Sequence, residues 1–185
     1  EKNPAKVAVN ISSVTGQGDG MSKFIWDNLY ERLGDILTAD DTMAIRWLET
    51  RTEKEIQLYP QIYRIAMDIL REAYSTDVIT PGVTTTTDVE YYIMQRINDM
   101  GLVDWFAPDV DVQREGCAGQ RMSDTVIMPG DIIHTDWGIE YMGLHTDTQR
   151  LGYILKEGET EIPAGILQGV KVGNRFQNIV RENFV

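Results

Sequence analysis

The hydrophobic pattern of the chain changes its period near residue 102, and this change limits the structures that the chain can form. Upstream, apolar residues recur every three or four positions, which is the spacing of one face of a helix. Downstream, Val110 and Val112 alternate with polar residues, which predicts a strand. Two helices, each with one buried face, are therefore expected before the strands begin. The buried face of the first is formed by Ile56, Tyr59, Tyr63, Met67, Leu70 and Tyr74, and that of the second by Val89, Ile93, Ile97 and Met100.

Capping signals mark the starts of these two helices. Thr52 and Glu55 form a capping-box pattern ahead of the first helix, and Thr87 and Glu90 form one ahead of the second. Pro60 lies within the first helical pattern, where a proline is expected to kink the helix or to restart it.

The two ends of the chain carry further elements. Near the start, the pattern predicts a strand over residues 7–11, a loop with three glycines over 12–20, and a helix that stops at Gly34. This order resembles a dinucleotide site, but the glycine spacing does not fit G-x-G-x-x-G and Asp19 would face the phosphates. At the other end we expect a helix over residues 164–184, with the core candidates Ile166, Val170, Ile179 and Val180.

Composition excludes several classes of partner. The 185 residues include 17 Lys plus Arg against 29 Asp plus Glu, which gives a net charge of -12. Such a chain repels nucleic acid and anionic membrane surfaces. No apolar run approaches the ~20 residues that span a bilayer. Cys117 is the single cysteine, so an intrachain disulfide is excluded. We expect a soluble protein, either cytoplasmic or exported with its signal removed, and the missing initiator methionine indicates a trimmed start or an excised piece.

The stretch from Gly130 to Arg150 carries most of the chemistry. Two strands, over residues 132–138 and 144–155, are predicted around a short connection. If the turn is centred between Tyr141 and Met142, Asp136 faces Asp147, and two opposed carboxylates destabilise a hairpin unless a cation lies between them. A pair of divalent ions would meet that need. The alternative is a solvent-facing strand with two ordinary aspartates. In the assumed register the polar face holds His134, Asp136, Gly138, His145, Asp147 and Gln149, and the packed face holds Ile133, Trp137 and Leu144.

A family resemblance adds to this interpretation. Asp-x-Gly, then a tyrosine and a glycine, then Thr-Asp-Thr-x-Arg, with the two aspartates eleven positions apart, resembles the pita-bread metallopeptidases. That family includes methionine aminopeptidase, prolidase and aminopeptidase P. The segments 47–56 and 79–85 are similar to its helical regions. The resemblance implies an α+β fold: residues 46–185 would be the amino-terminal half of a pita-bread catalytic domain, with an antiparallel sheet and packed helices. Residues 1–45 would be the tail of a creatinase-like α/β amino-terminal domain.

The same resemblance implies roles for individual residues. Asp136 would bind one metal through both carboxylate oxygens, and Asp147 would bridge two metals. The family takes one further His and two Glu ligands from the second half of its fold, which lies outside this chain. His145 is a candidate substrate contact, whereas His134 is expected near the floor of the site. The family's loop histidine has no counterpart in residues 116–125, so the substrate cannot be carried over directly.

The implied function is a metal-dependent peptidase of the Xaa-Pro type, acting on peptides with two divalent ions. Manganese is the leading choice, with cobalt, zinc or iron as alternatives. A homodimer is a further possibility, and this piece is expected to be inactive alone because it lacks three ligands. Two alternatives stay open, namely a creatinase-like C–N hydrolase and a non-catalytic scaffold that keeps the fold.

Overall fold

A computed structural model describes residues 3–12, 20–117 and 119–184. The chain divides into two compact units, residues 1–57 and 58–185. The boundary predicted between residues 45 and 46 separates a region that resembles a creatinase-like amino-terminal domain from one that resembles a pita-bread domain. The division into compact units does not test that resemblance, so the boundary stays a prediction.

The first unit is built around two parallel strands with a helix between them, an arrangement typical of α/β domains. The strands pair from Val7 opposite Leu37 to Asn10 opposite Asp40. Ser22 caps the intervening helix by accepting a hydrogen bond from the backbone N–H of Ile25. The predicted strand and the helix stop at Gly34 are confirmed, while most of the glycine loop lies outside the described residues. The elements are β1 (Val7–Asn10), α1 (Lys23–Leu33), β2 (Leu37–Asp40) and α2 (Met43–Glu49).

The second unit combines an antiparallel sheet with helices. Its central strand is β4, which pairs with β3 along one edge and with β5 and β6 along the other. The change from helices to strands near residue 102 is therefore confirmed. The elements are α3 (Glu53–Ala73), α4 (Thr86–Asp99), β3 (Val103–Gln113), β4 (Ile132–Tyr141), β5 (Leu144–His145), β6 (Thr148–Tyr153) and α5 (Ala164–Asn183).

The core of the second unit lies between its sheet and helices α3 and α4. Trp137 is the largest of its fully buried side chains. In the sheet, Trp137 shares the core with neighbours on three strands, and in the helices the core is formed by Ile62, Ala66, Ile69, Leu70, Ala73, Val89, Ile93 and Ile97. Burial of this apolar surface supplies the main free energy that stabilises the unit.

The predicted inner face of α3 is only partly right. Leu70 is buried, but Ile56 is 57% exposed and Tyr63 is 41% exposed. The true stripe lies beside the predicted one, since the small residues Ala66 and Ala73 pack inside while the tyrosines lie at its margin. On α4 the prediction holds except for Met100, which follows the last helical residue and is 45% exposed.

Helix starts follow the capping chemistry, with one correction. The Thr52–Glu55 box is confirmed, since the Glu55 carboxylate accepts from the Thr52 N–H at 2.6 Å. Helix α3 continues through Pro60, so this proline does not restart it. The predicted Thr87–Glu90 box is wrong: Thr85 is the N-cap and Asp88 reciprocates. Thr85 has the extended backbone that a cap requires, whereas residue 87 already lies in the first turn.

Helix α5 differs from its prediction in burial. It covers the expected residues, but Val170, Ile179 and Val180 are each more than 40% exposed, and Ile166 is only partly buried. The core candidates chosen there are therefore wrong for the described residues, because none of the described elements covers that face of the helix. No helix in the described part of the chain is long and apolar enough to span a membrane.

The capping assignment of α4 can be tested by two matched substitutions. Thr85→Ala removes the hydroxyl that accepts from the Asp88 N–H, while the backbone N–H of residue 85 can still donate to the Asp88 carboxylate. Loss of this cap should lower the free energy of unfolding by about 1 kcal/mol. Thr87→Ala removes only an exposed hydrogen bond to Asp124 and should cost distinctly less. Urea unfolding followed by circular dichroism measures both values, and a larger cost for Thr87→Ala would contradict the assignment.

Candidate metal centre on the hairpin face

The hairpin that carries the two aspartates turns at Met142 and Gly143. Both residues have positive φ, 55° and 75°, as a two-residue type I′ connection requires. Tyr141 pairs with Leu144, and the same register runs on to place Asp136 opposite Gln149. The predicted turn, centred one residue earlier, is wrong, and so is the direct opposition of Asp136 and Asp147. The reason is the left-handed backbone, which a glycine at position 143 readily supplies.

Asp147 nevertheless lies on the same side of the sheet as Asp136. The true register differs from the assumed one by two residues, and side chains alternate with a period of two. Thr146 and Thr148 are buried while Asp147 and Gln149 are exposed, so Asp147 is the diagonal neighbour of Asp136. Diagonal side chains lie about 7–8 Å apart at the backbone, within reach of ions placed between their carboxylates. The predicted packed face is confirmed, with Ile133, Trp137 and Leu144 all buried.

Close contacts around position 138 explain why the Asp-x-Gly pattern has a glycine there. The carbonyl of Thr146 approaches this position and accepts a hydrogen bond from the indole N–H of Trp105 at 2.7 Å. A Cβ at residue 138 would overlap both that carbonyl oxygen and the indole nitrogen. The missing side chain therefore lets the segment before Asp147 cross close to β4.

The Asp136 carboxylate has one satisfied and one bare oxygen. Its Oδ2 accepts a hydrogen bond from the Gln149 side-chain amide at 2.9 Å. Its Oδ1 is buried and has no hydrogen-bond partner among the described residues. Asp109 stands directly opposite on β3, which adds a second negative charge. A bare carboxylate oxygen in an acidic surrounding is costly to bury, and a divalent cation would satisfy it. The residues present therefore fit a metal with oxygen ligands.

A buried ion-pair cluster borders this carboxylate. Asp111 is 2% exposed at its side chain, and its Oδ2 accepts from Arg121 Nε at 2.8 Å and from His134 Nδ1 at 2.8 Å. Burial by itself raises the pKa of the Asp111 carboxyl, but the hydrogen bonds from Arg121 and His134 outweigh burial and hold that pKa below its usual value. Arg121 also contacts Asp109 at 3.1 Å, so it offsets part of the negative charge of the face.

Sequence reasoning missed the role of Asp111. The alternation of Asp111 with Val110 and Val112 indicated an ordinary strand. The signal that could have found it is the register, since Asp111 pairs with His134 across the sheet. His134 lies on the same face of β4 as Asp136, as the polar-face pattern predicted, and its expected place near the floor of a metal site stays a prediction.

His145 is held by its own neighbours. Its Nε2 lies 3.3 Å from the Glu140 carboxylate, and its ring meets Trp105 edge-on with centroids 5.4 Å apart. Glu140 and His145 are a direct cross-strand pair, so this contact follows from the turn. A role for His145 in binding substrate stays a prediction.

The described residues do not complete a metal centre around the two aspartates. Within the ranges that the structure describes, no group of three or more His, Cys, Asp or Glu side chains is arranged to hold a metal ion. Cys117 is partly buried and lines a separate cavity of about 530 Å³ with Arg114 and Lys156, away from the aspartates. Asp136 and Asp147 would thus contribute two ligands to a larger set.

Comparisons with known proteins bear on this arrangement. The sequence model described as metallopeptidase family M24 matches residues 57–168, more than half of the chain. No curated protein sequence matches at a significant level. The chain is similar in structure to X-Pro aminopeptidase from Thermotoga maritima, with a TM-score of 0.56 and 19% identity over 80% of this chain and 40% of that one. It is also similar to prolidase from Thermococcus sibiricus, with a TM-score of 0.55 and 20% identity over 82% of this chain and 40% of that one.

A third solved structure agrees with these two. Xaa-Pro dipeptidase from Bacillus anthracis has a TM-score of 0.56 and 17% identity, over 80% of this chain and 40% of that one. At such identities the likeness shows the fold alone, and it confirms the predicted α+β fold as part of a pita-bread fold. The chain spans about 40% of the length of each of these proteins.

The tight approach at Gly138 gives a stability test. Gly138→Ala should lower the free energy of unfolding by about 3 kcal/mol, because the added methyl group forces Thr146 or Trp105 out of place. Gly169→Ala is the matched control, since a Cβ there meets nothing within 4 Å and alanine favours the helix. Chemical denaturation of the three proteins decides the point, and equal stability of the Gly138 variant would contradict the close approach.

Proposed function

The chain belongs to metallopeptidase family M24, and we propose that it is part of a Xaa-Pro-type peptidase in which Asp136 and Asp147 are ligands of two divalent metal ions. The substrate would be a peptide with proline in second place. The bare, buried Oδ1 of Asp136 on the same face as Asp147 is the observation that carries this proposal.

The proline preference is supported by the kind of protein that shares this fold. The similar structures named above are an X-Pro aminopeptidase, a prolidase and a Xaa-Pro dipeptidase. Two strands with an intervening helix, β1, α1 and β2, also precede the region that the family model matches. We take this unit as the tail of the amino-terminal domain that the sequence resemblance implies.

The chemistry of the ligands favours hard divalent cations. Carboxylate oxygens suit manganese, while cobalt, zinc and iron would also fit a centre completed by a histidine. Two bound ions would supply Lewis acidity, lowering the pKa of a water molecule and polarising the scissile carbonyl. Asp136 would hold the ions from β4 and Asp147 from the segment between β5 and β6, and Gly138 would let that segment come near enough to share them.

The two alternatives gain less support. A creatinase-like hydrolase works without metals, so it has no need for both aspartates, and a scaffold would not need two aspartates on one face of the sheet either. A homodimer is compatible with the exposed apolar face of α5, but no described feature selects it.

The ligand assignment predicts a loss of metal binding in two variants. Asp136→Ala and Asp147→Ala should each weaken the affinity for Mn²⁺ at least tenfold, on the order expected for removal of a ligand. Equilibrium dialysis measures this affinity. Asp77→Ala is the charge-matched control, because Asp77 is exposed in the turn after α3. Unchanged Mn²⁺ content in both hairpin variants would end the proposal.

A second prediction concerns the 185-residue polypeptide by itself. It offers two of the five ligands that the family resemblance implies, so we expect weak Mn²⁺ binding and no hydrolysis of a Gly-Pro dipeptide above the rate without protein. Release of free proline, measured beside an active prolidase as the positive control, checks this. Manganese-dependent cleavage by this polypeptide alone would contradict the expectation.

A further inference from the structure

Gln149 is placed directly opposite the proposed ligand Asp136. The two residues form a cross-strand pair between β6 and β4, and Gln149 Nε2 donates to Asp136 Oδ2 at 2.9 Å. An ionised carboxylate only accepts hydrogen bonds, so the amide must present its NH₂ group to Asp136. The amide oxygen then points the other way, to His134.

His134 supports the other end of the same amide. Its Nε2 lies 3.3 Å from Gln149 Oε1, and its Nδ1 donates to Asp111 Oδ2 at 2.8 Å. The imidazole ring therefore lies between the Gln149 amide and the Asp111 carboxylate, within hydrogen-bond distance of both. Asp111 is buried and held by Arg121. A continuous series of hydrogen bonds therefore leads from the Arg121 loop to Asp136.

The series engages one oxygen of Asp136 and leaves the other free. Oδ2 receives the amide, while Oδ1 is buried without a partner among the described residues. A carboxylate that can rotate about its Cβ–Cγ bond must be ordered when an ion binds, and that ordering reduces affinity. With its amide fixed at both ends, Gln149 holds the Asp136 carboxylate in one orientation before the ion arrives.

From this geometry we infer that Gln149 is a positioning residue, which orients Asp136 so that Oδ1 faces a divalent cation. His134 and Asp111 act behind it by fixing the amide. The inference rests on the proposed function, because it takes Asp136 to be a metal ligand. It adds a residue that has no metal-ligating role of its own, since its amide oxygen is directed to His134.

The variant that tests this role is Gln149→Leu, which keeps the side-chain bulk and removes both hydrogen bonds. Partners that orient a metal ligand are typically worth 10–100-fold in metal affinity, so we expect Mn²⁺ binding to weaken about tenfold. Gln113→Leu is the matched control, since Gln113 is an exposed glutamine at the end of β3 whose side chain has no hydrogen bond among those described. Its affinity should equal that of the unchanged chain.

The measurement is a Mn²⁺ titration of the full 185-residue chain, followed by the relaxation rate of water protons, which detects weak sites. Thermal unfolding without metal is recorded for each variant. A purely structural role would lower the unfolding midpoint and leave Mn²⁺ affinity unchanged, whereas a positioning role lowers the affinity. Gln149→Ala is measured in parallel, so that a leucine that misfolds does not decide the outcome.

Asp136→Ala separates the two levels of the inference. If it abolishes the Mn²⁺ effect while Gln149→Leu and Gln149→Ala bind as tightly as the unchanged chain, or more tightly, the positioning role is overturned and the proposed function stands. If Asp136→Ala itself leaves the titration unchanged, the metal site fails and the role of Gln149 fails with it. Weaker binding in the Gln149 variants and in Asp136→Ala, with Gln113→Leu unaffected, supports both.

Discussion

Cross-strand pairing of β4 with β6 is the constraint on which the candidate centre depends. The pairing is fixed at one end by the two-residue turn at Met142 and Gly143 and along its length by the buried face of β4. A slip of one residue would expose Trp137, which is fully buried, so the hydrophobic core forbids it. Burial on one face of the strand thus decides which polar groups meet on the other.

Four aspartates concentrate negative charge on and beside the polar face of the sheet. Asp109, Asp136 and Asp147 lie on it, and Asp111 is buried beside them. Arg121 offsets the charge of Asp111, and the hydrogen bonds from Arg121 and His134 hold the pKa of the Asp111 carboxyl below its usual value despite burial. At Asp136 Oδ1 there is no such compensation within the described chain. Asp111 and Asp136 thus each keep one buried oxygen without a partner among the described residues, but only Asp111 contacts a cationic side chain, Arg121.

Close approach of backbones shapes the same region. Gly138 admits the Thr146 carbonyl, and the Trp105 indole then binds that carbonyl from β3. The Asp147 segment is in this way tied to two strands at once. Because loops that carry functional groups need a rigid scaffold, this contact gives Asp147 a defined position although its side chain is exposed.

The sequence by itself determined the family resemblance, the order of helices and strands in the second unit, and the placement of Asp136 and Asp147 on one face of the sheet. Local chemistry carries these features, because the helical and strand periods and the Thr52–Glu55 box can be read along the chain, whereas the turn at Met142 and Gly143 was placed one residue too early. The sequence did not determine the cross-strand partner of Asp136, because the register of the strands depends on the turn geometry at two residues and on packing across the sheet.

Only the tertiary structure decided that Gln149 stands opposite Asp136, that Thr85 caps α4 instead of Thr87, and that Asp111, His134 and Arg121 form one cluster. These contacts join residues distant in sequence, or depend on the backbone angles of a single residue, and no one-dimensional pattern encodes either. The burial of α5 was misjudged for a related reason. An amphipathic stripe shows which face could be buried, but only the surrounding chain decides whether it is.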